Sequence, residues 1–180
     1  SKTFAPPSSD RAFVSAALLR NAEAAFMKAR RHTMRARRVG IVLRSRDFSH
    51  VGLEAGLSRA TACFLDAAPL IRGLFDAVFR EGCDYRATLV ALGGLESDTQ
   101  EQFDLFESRP ALENVRRLTA AMDEANALFG RRTVCSASSL YLKDKPWNPR
   151  DEEPGRRTAG MLHGETARRR LAVTLWNITV

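Results

Sequence analysis

RRVGIVLRSRDFSHVGLEAGLSRAT, residues 37–61, is the stretch on which the fold turns. Its first half has a period of two: Val39, Ile41 and Leu43 alternate with Gly40, Val42, Arg44 and Arg46. That is the pattern of a strand with one apolar and one polar face. A turn is expected at "SHVG", residues 49–52, and "EAGLSRATACFLD", residues 54–66, reads as a second strand, antiparallel to the first.

The flanks complete the pattern. On the N-terminal side "SKTFAP" is extended in character and closes on Pro6-Pro7. "SSD" then supplies a helix start, and from Asp10 to about Met34 the positions Val14, Ala17, Leu18, Asn21, Ala25 and Ala29 follow helical spacing. Its basic end, "KARRH", suits the negative pole of the helix dipole. On the C-terminal side "AAPLIRGLFDAVFREG" is an amphipathic helix with Leu70, Leu74, Ala77 and Val78 on one stripe, stopped by Gly82. "DYRATLVALGGL" is a last strand, terminated at Gly93-Gly94. The order over residues 1–95 is therefore β-α-β-β-α-β. It predicts an α+β, ferredoxin-like domain: a four-stranded antiparallel sheet with two helices on one face. The other face is left bare, to be solvated or to bind something.

Beyond residue 95 the character changes. Residues 96–108 carry Glu96, Asp98, Glu101, Asp104 and Glu107 with no Lys or Arg, a linker. "PALENVRRLTAAMDEANALFG" predicts a further helix between Pro110 and Gly130. "RTVCSASSLYL" reads as one more possible strand, "KDKPWNPRDEEPGRR" as a flexible Pro-rich tail, and "ETARRRLAVTLWNITV" ends in an apolar run able to pack back as a strand. Residues 109–180 thus form a C-terminal helix, possible strand and tail.

Charge narrows the function. The 180 residues hold 28 Lys+Arg against 21 Asp+Glu, a net charge of +7, which points to a polyanionic partner, nucleic acid before membrane surface. No apolar run reaches membrane-spanning length and "SKTFAPPSSD" has no secretory core, so a cytoplasmic protein is expected. The chain does not begin with Met, as a piece of a longer protein would not. Cys63, Cys83 and Cys135 lack C-x-x-C spacing and read as reduced core residues. His32, His50 and His163 are scattered without metal-ligand spacing, and neither a Walker loop nor a G-x-S-x-G elbow is present. The strands carry almost no carboxylates, so two-metal phosphoryl transfer has no home here. A binding module is expected, with no catalytic residue, no cofactor and no metal site of its own.

Between Lys28 and Arg46 lie eight basic residues (Lys28, Arg30, Arg31, Arg35, Arg37, Arg38, Arg44, Arg46) and no carboxylate. Arg44 and Arg46 fall on the strand face opposite Val39, Ile41 and Leu43, and Arg59 and Arg86 on neighbouring strands extend the same surface if the register allows. Such a surface grips phosphates without reading bases. "QFDLF", residues 102–106, sets three apolar side chains among acids. It is either satellite core or a linear motif whose Gln and apolar anchors fit a hydrophobic groove.

Taken together, "SKTFAPPSSDRAFV", "RRVGIVLRSRDFSHVGLEAGLSRAT", "FDAVFREGCDYRATLVALGGL", "QEQFDLF" and "HGETARRRL" resemble the C-terminal part of bacterial Y-family DNA polymerases, the DNA polymerase IV type above all. The resemblance implies that residues 1–95 are a little finger (polymerase-associated) domain, whose sheet grips primer-template DNA. Lys2 and Thr3 then match its first strand, Arg44 and Arg46 its basic strand, and Arg59 and Thr61 its "SRxT" strand. Gln102, Phe103, Asp104, Leu105 and Phe106 resemble the motif that binds the bacterial sliding clamp, with Phe103 departing from the usual Leu. The family's palm, with its Mg²⁺-binding carboxylates, would precede Ser1, so this chain alone is expected to be inactive while its parent performs translesion synthesis. A single-stranded RNA-binding module of the same fold is the alternative. Such domains present aromatics on the sheet, whereas strands 38–46 and 85–92 offer aliphatic, Arg and Thr side chains.

Overall fold

The computed structural model describes residues 1–98, 109–130 and 132–142, with the backbone alone for Lys2, Ala5 and 109–112. "QFDLF", the Pro-rich segment and the final apolar run lie outside the described residues. The chain divides into two compact units, Ser1–Lys145 and Pro146–Val180, and only the first is described.

In chain order the elements are β1 (Lys2–Ser8), α1 (Arg11–Arg31), β2 (Met34–Ser45), β3 (His50–Thr61), α2 (Phe64–Val78), β4 (Tyr85–Gly93), β5 (Glu96–Ser97), α3 (Arg109–Leu128) and α4 (Ala137–Leu140). The first six follow the expected β-α-β-β-α-β order. The sheet runs β1-β4-β2-β3, and every pair along it is antiparallel. It follows that β1 is parallel to β2 with β4 between them, and β3 parallel to β4 with β2 between them. Each crossover helix thus spans one inserted strand, the split βαβ arrangement of the ferredoxin-like class. The short β5 adds to β2 through Met34↔Ser97 and Arg35↔Glu96.

The core lies between the sheet and its two helices. From β2 come Val39, Ile41 and Leu43, all fully buried, and from β4 Tyr85 and Thr88. Against them pack Val14, Leu18, Ala22 and Phe26 of α1 and Phe64, Ile71, Phe75 and Val78 of α2. Each fully buried side chain of the larger kind contributes about 1.5–3 kcal/mol. The stripe expected on α2 is rotated: Ile71 and Phe75 are buried, while Leu70 is half-buried and Ala77 exposed. Asn21, which the helical spacing placed on the apolar stripe, is buried because its amide donates to the Thr88 carbonyl (3.2 Å) and to the Thr88 hydroxyl. Burial of that amide is tolerable only because both bonds are made.

Element ends are set by local hydrogen bonds. Asp10 caps α1, its carboxylate accepting the Ala12 N–H at 2.9 Å, and the helix ends at Arg31, with Thr33 at φ 52 reversing the chain into β2. The hairpin turn falls at residues 46–49 rather than at 49–52. There the Asp47 carboxylate accepts the Ser49 N–H (3.2 Å) and hydroxyl (2.8 Å), and the Ser45 N–H donates to the Ser49 carbonyl at 2.9 Å. Asp47 sits below its ordinary pKa because both Ser49 bonds favour the charged form. The second strand stops at Thr61, short of residue 66, because the Thr61 hydroxyl accepts the Cys63 N–H (3.0 Å) and donates to Asp66 (2.7 Å). This starts α2 at Phe64, ahead of residue 67.

The expected third helix is α3. Where a strand was expected around residues 132–142, the short helix α4 stands instead. Glu23 of α1 causes this: its carboxylate accepts the Ser136 N–H and the Ser139 hydroxyl, both at 3.0 Å, which organises a turn rather than an extended chain. Leu142 behind it is buried. The cysteines are free, with Cys63 buried and the others half-buried.

Candidate nucleic-acid interface

Alternation along β2 sends Val39, Ile41 and Leu43 to the helices and Arg38, Gly40, Val42 and Arg44 to the bare face. Register then names their neighbours. One row reads Thr3–Ala87–Arg44–His50 across the four strands, and later rows read Leu89–Val42–Gly52, Ala91–Gly40–Glu54 and Gly93–Arg38–Gly56. Most of this face is glycine or alanine, with the aliphatic pair Leu89 and Val42 in one row. It is a shallow surface over which a long polymer can lie close to the backbone. Gly52 is obligatory: a Cβ there would stand 2.5 Å from the Ile41 carbonyl oxygen and 2.8 Å from the Val42 side chain.

The two ends of the face differ in charge. At the far end Arg38 reaches across Gly93 to Glu54, 3.1 Å away, and is neutralised. At the near end, in the Thr3 row, the exposed Arg44 has its guanidinium carbon 4.9 Å from the centre of the Phe48 ring. Arg86 approaches the same ring at 4.5 Å. A β-bulge makes this possible: the β2–β4 register shifts between Arg44↔Ala87 and Ser45↔Tyr85, leaving Arg86 as the extra residue. The shift buries Tyr85, whose hydroxyl accepts the Arg80 N–H at 3.0 Å and whose pKa is raised by burial, and re-aims Arg86 toward the hairpin tip. Arg46 is exposed in the turn, its backbone N–H bonded to the Asp84 carbonyl at 2.8 Å. Among the described residues, no carboxylate pairs with Arg44, Arg46 or Arg86.

The structure therefore gathers five of the seven candidates, Lys2, Thr3, Arg44, Arg46 and Arg86, around one end of the sheet. Lys2 is at that end by its backbone register, but opposite Thr88, whose row with Leu43 belongs to the helix-packed face rather than the bare one. Arg59 and Thr61 stand apart from these five. They lie near Ala36, which pairs with Thr61 eight residues from Arg44, about 25 Å along the strand. Arg59 is spent on Asp66 at 2.6 Å, and Thr61 is buried as the α2 cap. Alternation along β3 runs on past Gly56, with Ser58 exposed and Leu57 and Arg59 half-buried, so Arg59 falls on the face opposite His50, Gly52, Glu54 and Gly56. Gln102, Phe103, Asp104, Leu105 and Phe106 lie outside the described residues. Phe48 was missed altogether; the only signal was an aromatic residue inside a basic turn, "RSRDF".

A second arginine cluster surrounds a cavity of about 460 Å³ bordered by β3, the start of α2 and α3. Here every cation has an acid. Arg30 holds Asp123 through two bonds (2.6 and 2.9 Å), Arg35 is buried against Glu96 (3.2 Å) and Asp98 (3.4 Å), and Arg116 reaches Asp98 at 3.5 Å. Cys63 and Thr119 meet at 3.4 Å. These side chains fasten α3 to the sheet domain. Among the described residues, no group of His, Cys, Asp and Glu is placed to hold a metal ion.

A split βαβ sheet with one bare face, edged by arginines that no acid among the described residues neutralises, is an α+β domain of ferredoxin-like class with a basic rim. The family model described as the impB/mucB/samB family C-terminal domain matches residues 1–105, and the chain belongs to that family, the C-terminal region of Y-family polymerases. Membership implies a DNA polymerase as parent, DNA as the polyanion, and a part in translesion synthesis and DNA repair. No curated protein matches the chain. No helix among the described residues is long and apolar enough to cross a membrane.

Proposed function

We propose that this chain is the DNA-gripping little finger and clamp-tethering region of a translesion polymerase of the DNA polymerase IV type. The observation that carries the reading is the trio Arg44, Arg46 and Arg86, none paired with a described carboxylate, at the Thr3 end of a bare sheet. Guanidinium forks of this kind bind phosphate oxygens, and the Gly- and Ala-lined rows beside them offer nothing to read base edges. Binding is therefore independent of sequence. The parent's Mg²⁺ and nucleotide-transfer chemistry belong to a palm domain, and this region contributes affinity and tethering, with no catalysis of its own. Its place of action is the cytoplasm, on primer-template DNA. Residues 102–106 supply the sliding-clamp contact, with Gln102 as the polar anchor and Phe103, Leu105 and Phe106 as apolar anchors around Asp104.

Titration with primer-template DNA over a salt series tests the first half. Arg44→Ala plus Arg86→Ala is expected to weaken binding at least about tenfold and to lower the log–log salt slope by about two. Unchanged affinity removes the DNA from this face. Leu105→Ala plus Phe106→Ala is expected to abolish binding to a bacterial sliding clamp while leaving DNA affinity intact; retained clamp binding sinks the motif.

A further inference from the structure

Phe48 is costly where it stands. Its φ of 71 lies in the left-handed region, which a bulky side chain seldom occupies, and its side chain remains 56% exposed. Neither observation suits a residue retained for packing. Strain at an exposed position is instead a mark of function. What the ring touches indicates the function: the guanidinium of Arg44, from β2, and that of Arg86, from the bulge of β4.

We propose that Phe48 is the positioning residue of the phosphate-binding end, holding Arg44 and Arg86 together as one site for the DNA phosphodiester backbone. The proposal rests on the DNA-binding reading above and goes beyond it by assigning the arrangement of the two cations to an aromatic side chain. Two like charges on adjacent strands repel, and an electron-rich ring face near both offsets that repulsion. A guanidinium stacks through its face and donates hydrogen bonds through its edge, so contact with the ring leaves the N–H fork free for phosphate. The ring also removes rotamer freedom from two long side chains before DNA arrives, and that ordering cost is otherwise charged to binding. Asp47, the nearest acid in sequence, is engaged by Ser49 and does not compete for the guanidiniums.

The test compares the full chain with Phe48→Leu, Phe48→Tyr, Phe48→Gly and Arg44→Ala plus Arg86→Ala, by DNA titration over a salt series and by thermal unfolding. Phe48→Leu keeps apolar bulk without the ring and is expected to weaken DNA binding about fivefold or more, with the salt slope held because both cations remain. Phe48→Tyr restores affinity to within about twofold. Phe48→Gly relieves the left-handed backbone and is expected to melt no lower than the parent while binding as weakly as Phe48→Leu. A packing role does not produce that opposition. Parental affinity in Phe48→Leu or Phe48→Gly, or failure of Phe48→Tyr to restore it, overturns the proposal. If the double arginine variant alone loses binding, only the role of Phe48 falls; if it too binds as the parent does, the DNA-face reading falls with it.

Discussion

Arginines crowd both ends of β2, and the two ends use them in opposite ways. At the Met34 end, Arg35, Arg59, Arg30 and Arg116 are each matched to an aspartate or glutamate, and the charge is consumed in fixing α2, α3 and β5 to the sheet. At the Ser45 end, Arg44, Arg46 and Arg86 have no described acid and lean on an aromatic ring or on solvent. The residue type is the same; the supply of carboxylates differs. An arginine with an internal carboxylate partner is already charge-neutralised, so among the described residues of these two clusters it is the one at the Ser45 end whose charge is left open to an outside anion. Net charge alone does not identify a nucleic-acid surface; the unmatched fraction does.

That contrast can be broken at several points. The largest effect is expected from Arg59→Ala, which leaves Asp66 three-quarters buried without its cation. It should cost about 1–3 kcal/mol of stability in a denaturant titration while DNA affinity stays within about twofold. A loss of DNA binding without a loss of stability would return Arg59 to the interface. Next comes Glu54→Ala, which releases Arg38 on the bare face and converts the neutral end toward the basic one. DNA binding should tighten a few-fold at low salt, with the salt slope rising by about one; an unaltered slope would show that DNA does not reach Gly93 and Arg38. The smallest effect concerns the turn that sets the hairpin. Asp47 has its pKa lowered by the two Ser49 bonds. The stability it contributes is therefore complete above its unfolded pKa and is lost as pH falls through the folded value, below about pH 4. The melting difference between the parent and Asp47→Ala should be small at neutral pH and vanish in acid. A difference that persists unchanged at low pH would mean the carboxylate is not what holds the turn.

Much of the frame is legible in the sequence. The period of two in Val39–Leu43 assigned the buried and bare faces of β2 correctly, and with them Arg44. The β-α-β-β-α-β order likewise followed from where helical spacing gave way to alternation. What escaped depends on contacts remote in sequence or on small shifts of register. Arg86 faces the hairpin tip only because of one extra residue in β4. Arg59 lies on the inner face by simple alternation with Gly56 and Ser58, and only the pairing of β3 with β2 says which parity faces the helices. Residues 137–140 became a helix through Glu23, more than a hundred positions upstream, and no local propensity in "CSASSL" carries that information. Phe48 was invisible for a different reason: turn residues are chosen by backbone angle, and a phenylalanine at positive φ contradicts the rule by which turns are recognised.

Strand β5 and helix α3 give the molecule one mechanical property. The chain leaves the sheet at Asp98, whose N–H is held by the Thr33 carbonyl at 2.8 Å, and it rejoins the same compact unit as α3, fastened through Asp123 and Arg116. Anything that pulls on the intervening segment therefore loads two anchorages at once. The tension entering at Ser97 and Glu96 passes straight into Met34 and Arg35. Those residues begin β2, the strand that carries Arg44 at its other end. A pull applied between Asp98 and α3 is thus a pull along the axis of the strand that carries Arg44.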